Sequence, residues 1–258
     1  MQLLASDINA LFGSFLWPFL RIGATIGVAP VFGARAVPVR VRLGIALVLT
    51  SVVVPLLPSP PAVDMLSLGA VFVAAQQILI GLAMGFALLV AFAAFVLGGQ
   101  IVAMQMGLGF ASLVDPQNGI QTPMVSQLYV LLSTLIFLSF DGHLMLIETL
   151  VNSFYQLPVD MVGLGSNSMW HLVSLGSDVF SGAIMVALPA ITTLLLINLA
   201  FGVVTRAAPQ LNIFAVGFPV IIVSGLVVIM ITLDNTAPRL WDLMEKAVAV
   251  MQDVLLGV

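Results

Sequence analysis

The sequence predicts an all-α, polytopic membrane protein with about six long, kinked apolar helical segments that form helical hairpins, together with an internal re-entrant loop. Apolar residues (AVILMFWYC) make up 61% of the 258 residues and charged residues 7%, compared with about 25% charged residues in soluble domains. So few charges cannot cover a soluble surface of this size. Their spacing also leaves uncharged runs as long as a bilayer crossing, which needs roughly 20 residues.

The uncharged runs follow one another along the chain. In order they occupy residues 8–32 (interrupted by Arg21), 43–63, 65–114, 116–140, 179–205 and 207–233. The third run is 50 residues long, and as one straight helix it would extend ~75 Å, more than twice the ~30 Å hydrocarbon core. We therefore expect either a hairpin or a span followed by irregular backbone there. The breaks are expected at Gly98-Gly99 and at the Gly107/Gly109 pair.

The basic residues predict the orientation of these segments. Arg35, Arg40 and Arg42 are three of the seven Lys and Arg residues and lie within ten positions, so the positive-inside rule places this loop in the cytoplasm. Arg206 predicts a second cytoplasmic loop. The C-terminal segment 239–258 mixes charged and apolar residues and is expected to form a short amphipathic helix.

Six polar side chains stand inside the apolar runs, where contact with lipid would be costly. They are Arg21, Gln76, Gln77, Gln100, Gln105 and Asn198. One interpretation is a wet conduction path between helices. The other is that each residue forms an interhelical hydrogen bond that supports assembly, with a contribution of about 0.6 kcal/mol.

The sequence offers no catalytic, metal-binding or cofactor-binding motif. It has no Cys, which excludes disulfides and Cys-ligated metals. The Gly-x-Ser-Gly and Gly-x-Gly-Asp elements of intramembrane proteases are missing, and so are the glycine-rich nucleotide loops. His143, close to Asp141, is more typical of a membrane interface than of a metal site. The sparse Lys and Arg exclude nucleic-acid binding by phosphate neutralisation.

The segment from Met104 to Pro123 joins two apolar runs and combines two conflicting properties. Its turn-forming pairs, Asp115-Pro116 and Asn118-Gly119, suit a surface loop. Its apolar side chains would be unfavourable in water; these are Leu108, Phe110, Leu113 and Val114. An irregular apolar segment at membrane depth is tolerated only inside protein or lining a cavity. A surface loop and a re-entrant or pore-lining loop therefore remain as alternatives.

Three motifs resemble the FliR/SctT family of export-gate subunits, which serve flagellar and virulence type III secretion. The most specific is Gly107-Leu-Gly-Phe-Ala-Ser-Leu-Val-Asp-Pro-Gln-Asn-Gly119; the others are Arg21-Ile-Gly-Ala and Pro30-Val-Phe-Gly. The similarity extends over almost the whole chain, including the segments around Pro189 and Pro219. The Asp-Pro-Gln-Asn part favours the flagellar branch, because virulence members diverge there.

The resemblance implies a non-enzymatic core subunit of the flagellar type III protein-export gate, without a cofactor. In this family the subunit assembles with FliP and FliQ homologues into a gated channel for unfolded export substrates, and FlhB and FlhA homologues work with it. The resemblance also implies a place in the bacterial inner membrane, in contact with lipid, within the flagellar basal body. Because the family's apolar helices bury against one another, six apolar segments need not be six lipid-exposed spans.

The domain organisation is implied by the same resemblance. Residues 1–165 correspond to a FliP-like helical region that includes a plug loop at 107–122. Residues 166–258 correspond to a FliQ-like helical hairpin and the C-terminal amphipathic helix. The plug would seal the channel, with methionines as adaptable contacts and glycines as hinges. Its residues are Met104, Met106, Gly107, Leu108, Gly109, Phe110, Leu113, Val114, Asp115, Pro116, Asn118 and Gly119.

A small-solute transporter or permease subunit is the alternative, because polar residues in broken helices are also typical of transporters. That hypothesis predicts inverted repeats and a substrate site that one chain forms at the membrane midplane. The sequence shows no convincing repeat. An integral membrane enzyme is a third hypothesis, and no motif supports it.

Overall fold

The computed structural model describes residues 2–58, 63, 67–108, 124–160, 163–208 and 213–256. The described residues form helices joined by turns, and no strand occurs among them, which confirms the all-α prediction. The α-helices are α1 (Gln2–Val28), α2 (Val39–Val53), α3 (Leu68–Gln105), α4 (Met124–Ser139), α5 (Gly142–Gln156), α6 (Ser166–Ala207), α7 (Ile213–Thr232) and α8 (Thr236–Leu256). Short 3-10 helices, Val54–Leu56 and Leu233–Asn235, follow α2 and α7.

Several of these helices are long and apolar enough to cross a membrane. The described residues contain four such stretches, or five if the broken pair α4 and α5 is counted as one span. The four are Val39–Leu56, Leu68–Gln105, Ser166–Ala207 and Val216–Val254. The sequence predicted about six. The first predicted run lies in α1, which is 27 residues long; the side chains of residues 2–11 lie outside the described part, and Phe12–Val28 is a shorter apolar helix. The fold is that of a polytopic α-helical membrane protein.

Helix α3 decides between the alternatives for the long uncharged run. It continues for 38 residues, or about 57 Å at 1.5 Å per residue, so the hairpin alternative is wrong over this length. The predicted break at Gly98-Gly99 is also wrong, because both glycines are close packing positions. A Cβ on Gly98 would lie 3.2 Å from the Ala183 carbonyl oxygen, and one on Gly99 would lie 2.8 Å from Ser126 Cα. The predicted break at Gly107 is confirmed, since its φ of 77° ends the helix.

The chain forms two compact units that interleave along the sequence. Unit 1 comprises residues 1–90, 138–176 and 244–258, and unit 2 comprises residues 91–137 and 177–243. Each unit therefore draws on both halves of the chain, and α3, α6 and α8 each contribute residues to both.

Aromatic side chains fill the core of unit 2. The ring of Phe92 meets that of Phe137 edge-on, with 5.6 Å between centroids. The ring of Phe95 is tilted against that of Tyr129 at 6.3 Å. Such pairs add about 0.5–1.5 kcal/mol to the burial of the rings. They fix α3 against α4 in this unit.

Helices α1 and α3 approach each other closely in unit 1 through glycines of α3. A Cβ on Gly81 would overlap the carbonyl oxygen of Arg21, and one on Gly85 would lie 2.8 Å from the carbonyl oxygen of Thr25. The Cβ position of Gly27, by contrast, has nothing within 4 Å. The glycine spacing of α3 therefore marks a packed helix face, whereas Gly27 lies outside such a contact.

These contacts predict opposite outcomes for two identical substitutions. Gly81→Ala forces α1 away from α3, and overpacking of this kind should destabilise the protein by about 1–3 kcal/mol. Gly27→Ala meets open space and should be neutral or stabilising by up to about 1 kcal/mol. The midpoint of thermal unfolding of each full-length variant in one detergent measures the difference. Equal midpoints would contradict the close approach of the two helices.

Candidate functional site

The most polar buried site in the described chain is built around Arg21 of α1, whose side chain is completely buried. Its Nε donates to Oε1 of Gln77 on α3 at 2.8 Å. Its Nη1 donates to the carbonyl oxygen and the hydroxyl of Ser153 at 2.9 and 3.1 Å. Its Nη2 donates to the carbonyl oxygen of Leu157 at 2.9 Å. One guanidinium thus joins three segments of unit 1.

The acceptors explain why a cation is stable in this apolar unit. Ser153 lies in the last turn of α5 and Leu157 is the residue that caps it. The carbonyls at the end of a helix carry the negative end of its dipole. The Ser153 carbonyl also accepts from the N–H of Leu157 at 2.9 Å, whereas the Leu157 carbonyl lies beyond the last helical residue. The ring of Phe154 adds a cation–π contact, 4.2 Å from the guanidinium carbon to the centroid. The positive charge is therefore balanced by a helix end and an aromatic face, and its four described acceptors are all neutral.

Further hydrogen bonds hold these acceptors in place. The Ser153 hydroxyl that accepts from Arg21 donates in turn to the carbonyl of Leu150 at 2.7 Å. Thr25 donates to the carbonyl of Arg21 at 2.9 Å. The amide nitrogen of Gln77 has no hydrogen-bond partner among the described residues. Arg21 and Gln77 were predicted from their positions in apolar runs, whereas Ser153 was not, because serines are common near helix ends.

The other predicted polar residues do not join this cluster. Gln76, Gln100 and Gln105 are half-buried, and Asn198 is exposed. Gln76 packs against the backbone of Gly163, where a Cβ would overlap its side-chain amide. Of the six predicted polar residues, Arg21 and Gln77 therefore meet at this node and the other four lie apart from it.

The predicted plug begins at a well-formed helix stop. The N–H of Gly107 donates to the carbonyl of Met104, and the N–H of Leu108 to that of Ala103, both at 3.0 Å. With the left-handed φ of Gly107, this pair of bonds is a Schellman motif. Met106 is completely buried in unit 2, and a Cβ on Gly225 of α7 would overlap its side chain. Met104 is exposed.

The remaining predicted plug residues lie outside the described residues. They are Gly109, Phe110, Leu113, Val114, Asp115, Pro116, Asn118 and Gly119.

The predicted basic loops are partly helical. Arg35 is exposed in the turn before α2, whereas Arg40 and Arg42 lie in the first turn of that helix. Arg42 donates to the carbonyl of Ala34 at 2.7 Å and to that of Val37 at 3.0 Å, so it closes the turn. Arg206 is exposed in the last turn of α6, where a cation is favourable.

The described part of the chain offers a cavity but no metal-binding cluster. It contains no group of three or more His, Asp or Glu side chains that could hold a metal ion. An apolar cavity of about 350 Å³ lies beside Phe154 in unit 1, and no ionisable side chain lines it. Its lining residues are Ser14, Pro18, Val54, Leu57, Pro58, Phe154, Pro158 and Val159.

The Arg21 node predicts a graded mutational series. Arg21→Leu leaves four acceptors without this donor and should destabilise the protein by about 2–3 kcal/mol. Arg21→Lys keeps the charge, but its compact ammonium cannot reproduce the planar fork, so an intermediate loss is expected. The control Arg35→Leu removes an exposed cation and should stay within about 0.5 kcal/mol of the parent. Thermal unfolding midpoints of the full-length variants in one detergent test the order; an Arg21→Leu protein as stable as the Arg35→Leu control would refute it.

The chain can now be compared with known proteins. Residues 12–247 match the family described as "Bacterial export proteins, family 1". The chain is similar to the flagellar biosynthetic protein FliR of Escherichia coli (strain K12), with 41% identity over 241 residues that cover 93% of this chain and 92% of the relative. It is also similar to FliR of Bacillus subtilis (strain 168), with 28% identity over 253 residues that cover 97% of each. The protein therefore belongs to the bacterial export proteins, family 1, on the flagellar FliR side, and is a membrane component of flagellar protein export.

Proposed function

We propose that this protein is a non-enzymatic core subunit of the flagellar export gate, which assembles with FliP and FliQ homologues into a gated channel for unfolded export substrates. The gate lies in the bacterial inner membrane within the flagellar basal body, where FlhB and FlhA homologues act on its cytoplasmic side. The observation that carries this proposal is the near full-length similarity to FliR proteins.

Uneven burial of the apolar helices supports assembly with other chains. The most apolar window of α3 is 67% buried within the described chain, but those of Val39–Leu56 and Ser166–Ala207 are 17% and 22% buried. A helix with so little cover needs other helices or lipid around it. Helices from FliP and FliQ homologues would supply part of that cover, and membrane lipid the rest.

The proposed correspondence to partner folds divides the chain at residue 165. Residues 1–165 form the FliP-like region and residues 166–258 the FliQ-like hairpin with the C-terminal helix. The start of α6 at Ser166 supports this boundary. In the C-terminal part, α6 and α7 are long apolar helices that lie next to each other in the sequence, as a hairpin requires.

Segment 107–122 is the proposed plug. Helix α3 stops at the Schellman motif of Gly107, directly before the apolar stretch that begins with Leu108. The buried Met106 anchors this end of the segment in unit 2. A hydrophobic constriction can close a pore by excluding water, while its contacts stay weak enough to be displaced.

The plug hypothesis predicts leakage without loss of assembly. Deletion of residues 108–114 should leave the complex intact but permeable to ions, because the constriction is removed. Phe110→Asp should wet the constriction and give a milder leak. Ion conductance of membranes that contain each variant measures the first property, and pull-down of FliP and FliQ homologues measures the second.

Two results would contradict parts of this proposal. A deletion variant that assembles fully and stays as tight as the parent protein would exclude the plug. A deletion variant that loses FliP and FliQ without any leak would assign the segment to the scaffold instead. A parent chain that never co-purifies with FliP or FliQ homologues would refute the proposed assembly itself.

The orientation is tested by single-cysteine labelling, which is unambiguous because the chain has no native Cys. With segment 33–42 in the cytoplasm, Ala36→Cys should not react with an impermeant maleimide added to intact spheroplasts. The matched variant Ala62→Cys lies in the link between the second and third apolar runs. It should react, because one span separates this link from the cytoplasmic segment and places it outside. The reverse labelling pattern would invert the proposed topology.

A further inference from the structure

Helix α6 contains a proline at an interior position, and this residue removes one helical hydrogen bond. Pro189 lies inside α6 and has no N–H, so the carbonyl of Met185, four residues earlier, lacks its usual donor. An unpaired carbonyl in apolar surroundings is costly. This position therefore needs a donor from outside the helix.

Arg239 supplies that donor. Its Nη1 donates to the carbonyl oxygen of Met185, 54 positions away in the sequence. Arg239 lies in the first turn of α8, and both residues belong to unit 2.

Close packing of the same turn accompanies the hydrogen bond. A Cβ on Gly182 of α6 would lie 3.0 Å from Cβ of Ala94 and 3.1 Å from Cδ1 of Leu243. Leu243 follows Arg239 by one helical turn on α8. Both α8 residues therefore contact the part of α6 that directly precedes Pro189.

We propose that Arg239 is a positioning residue that fixes the proline-interrupted turn of α6 to the first turn of α8. The role of Arg239 depends on Pro189, because a side-chain donor is needed only where the proline removes the helical N–H. Any other residue type at position 189 would restore the N–H and make the arginine's hydrogen bond redundant. A general charge effect of Arg239 would not depend on position 189. The proposal is also independent of the plug and of the partner subunits.

A double-mutant cycle on the full-length protein in one detergent tests this dependence. Arg239→Met should lower the midpoint of thermal unfolding by about 3–6 °C. In the Pro189→Ala background, Arg239→Met should lower the midpoint of thermal unfolding far less. The control Arg206→Met removes an exposed cation from the last turn of α6, and its small effect should be the same in both backgrounds. Equal losses for Arg239→Met in the two backgrounds, or no loss in either, overturn the proposal.

Hydrogen exchange gives a second measurement that needs only position 239. In Arg239→Met, the amides around Pro189, in residues 182–193, should exchange roughly tenfold faster, while those of residues 68–90 should not change. Arg239→Lys keeps a donor and should restore part of the protection. Unchanged exchange at 182–193 overturns the proposal. If the Arg239→Met protein fails to accumulate, the double variant with Pro189→Ala is expressed instead. Normal accumulation of the double variant supports the proposal, and its failure to accumulate overturns the proposal.

Discussion

Main-chain carbonyls at helix ends and at prolines determine where this chain needs its few polar side chains. In an apolar environment each such carbonyl must accept a hydrogen bond, yet only 7% of the residues are charged. Arg21 donates to carbonyls at the end of α5, and Arg239 to the carbonyl that Pro189 leaves free. Arg42 donates to two carbonyls of the turn before α2. Arginine suits this task because its fork reaches several acceptors at once and keeps its charge.

Neutral side chains meet the same requirement in unit 1. The hydroxyl of Tyr155 donates to the carbonyl of Leu56, at the end of a 3-10 helix. The hydroxyl of Ser168 donates to the carbonyl of Val254, in the last turn of α8, at 2.8 Å. These bonds join segments 99 and 86 positions apart in the sequence. Apolar contacts are non-directional, so the directional hydrogen bonds define the register in which the helices meet.

The apolar environment also determines which features could be predicted from the sequence. The fold class could be predicted from composition and charge spacing, because apolar surroundings require helices with long uncharged runs. Arg21 was recognisable because a lone base in an apolar run must find partners. Its partners could not be recognised, since Ser153 and Leu157 lie 132 and 136 positions away and act mainly through their backbone carbonyls. Every residue has such a carbonyl, so the sequence does not single these two out.

The wrong prediction of a helix break at Gly98-Gly99 has a clear physical origin. Glycine favours a helix break through its backbone freedom, but in membrane helices it also permits close contact. Gly98 and Gly99 serve the second purpose, whereas Gly107 serves the first, and the local sequence is compatible with both.

The distribution of polar contacts also bears on how such a subunit recognises its neighbours. Lipid tails are as apolar as leucine side chains, so apolar burial alone gives a helix little preference between lipid and a protein partner. The exposed faces of α2 and α6 are mainly apolar, with polar side chains such as Asn198 among them. Inside the chain, polar nodes such as Arg21 already have their acceptors, so these groups do not favour any one partner. Within each unit, close packing at glycines such as Gly81 and Gly182 is one feature that specifies which helix lies against which.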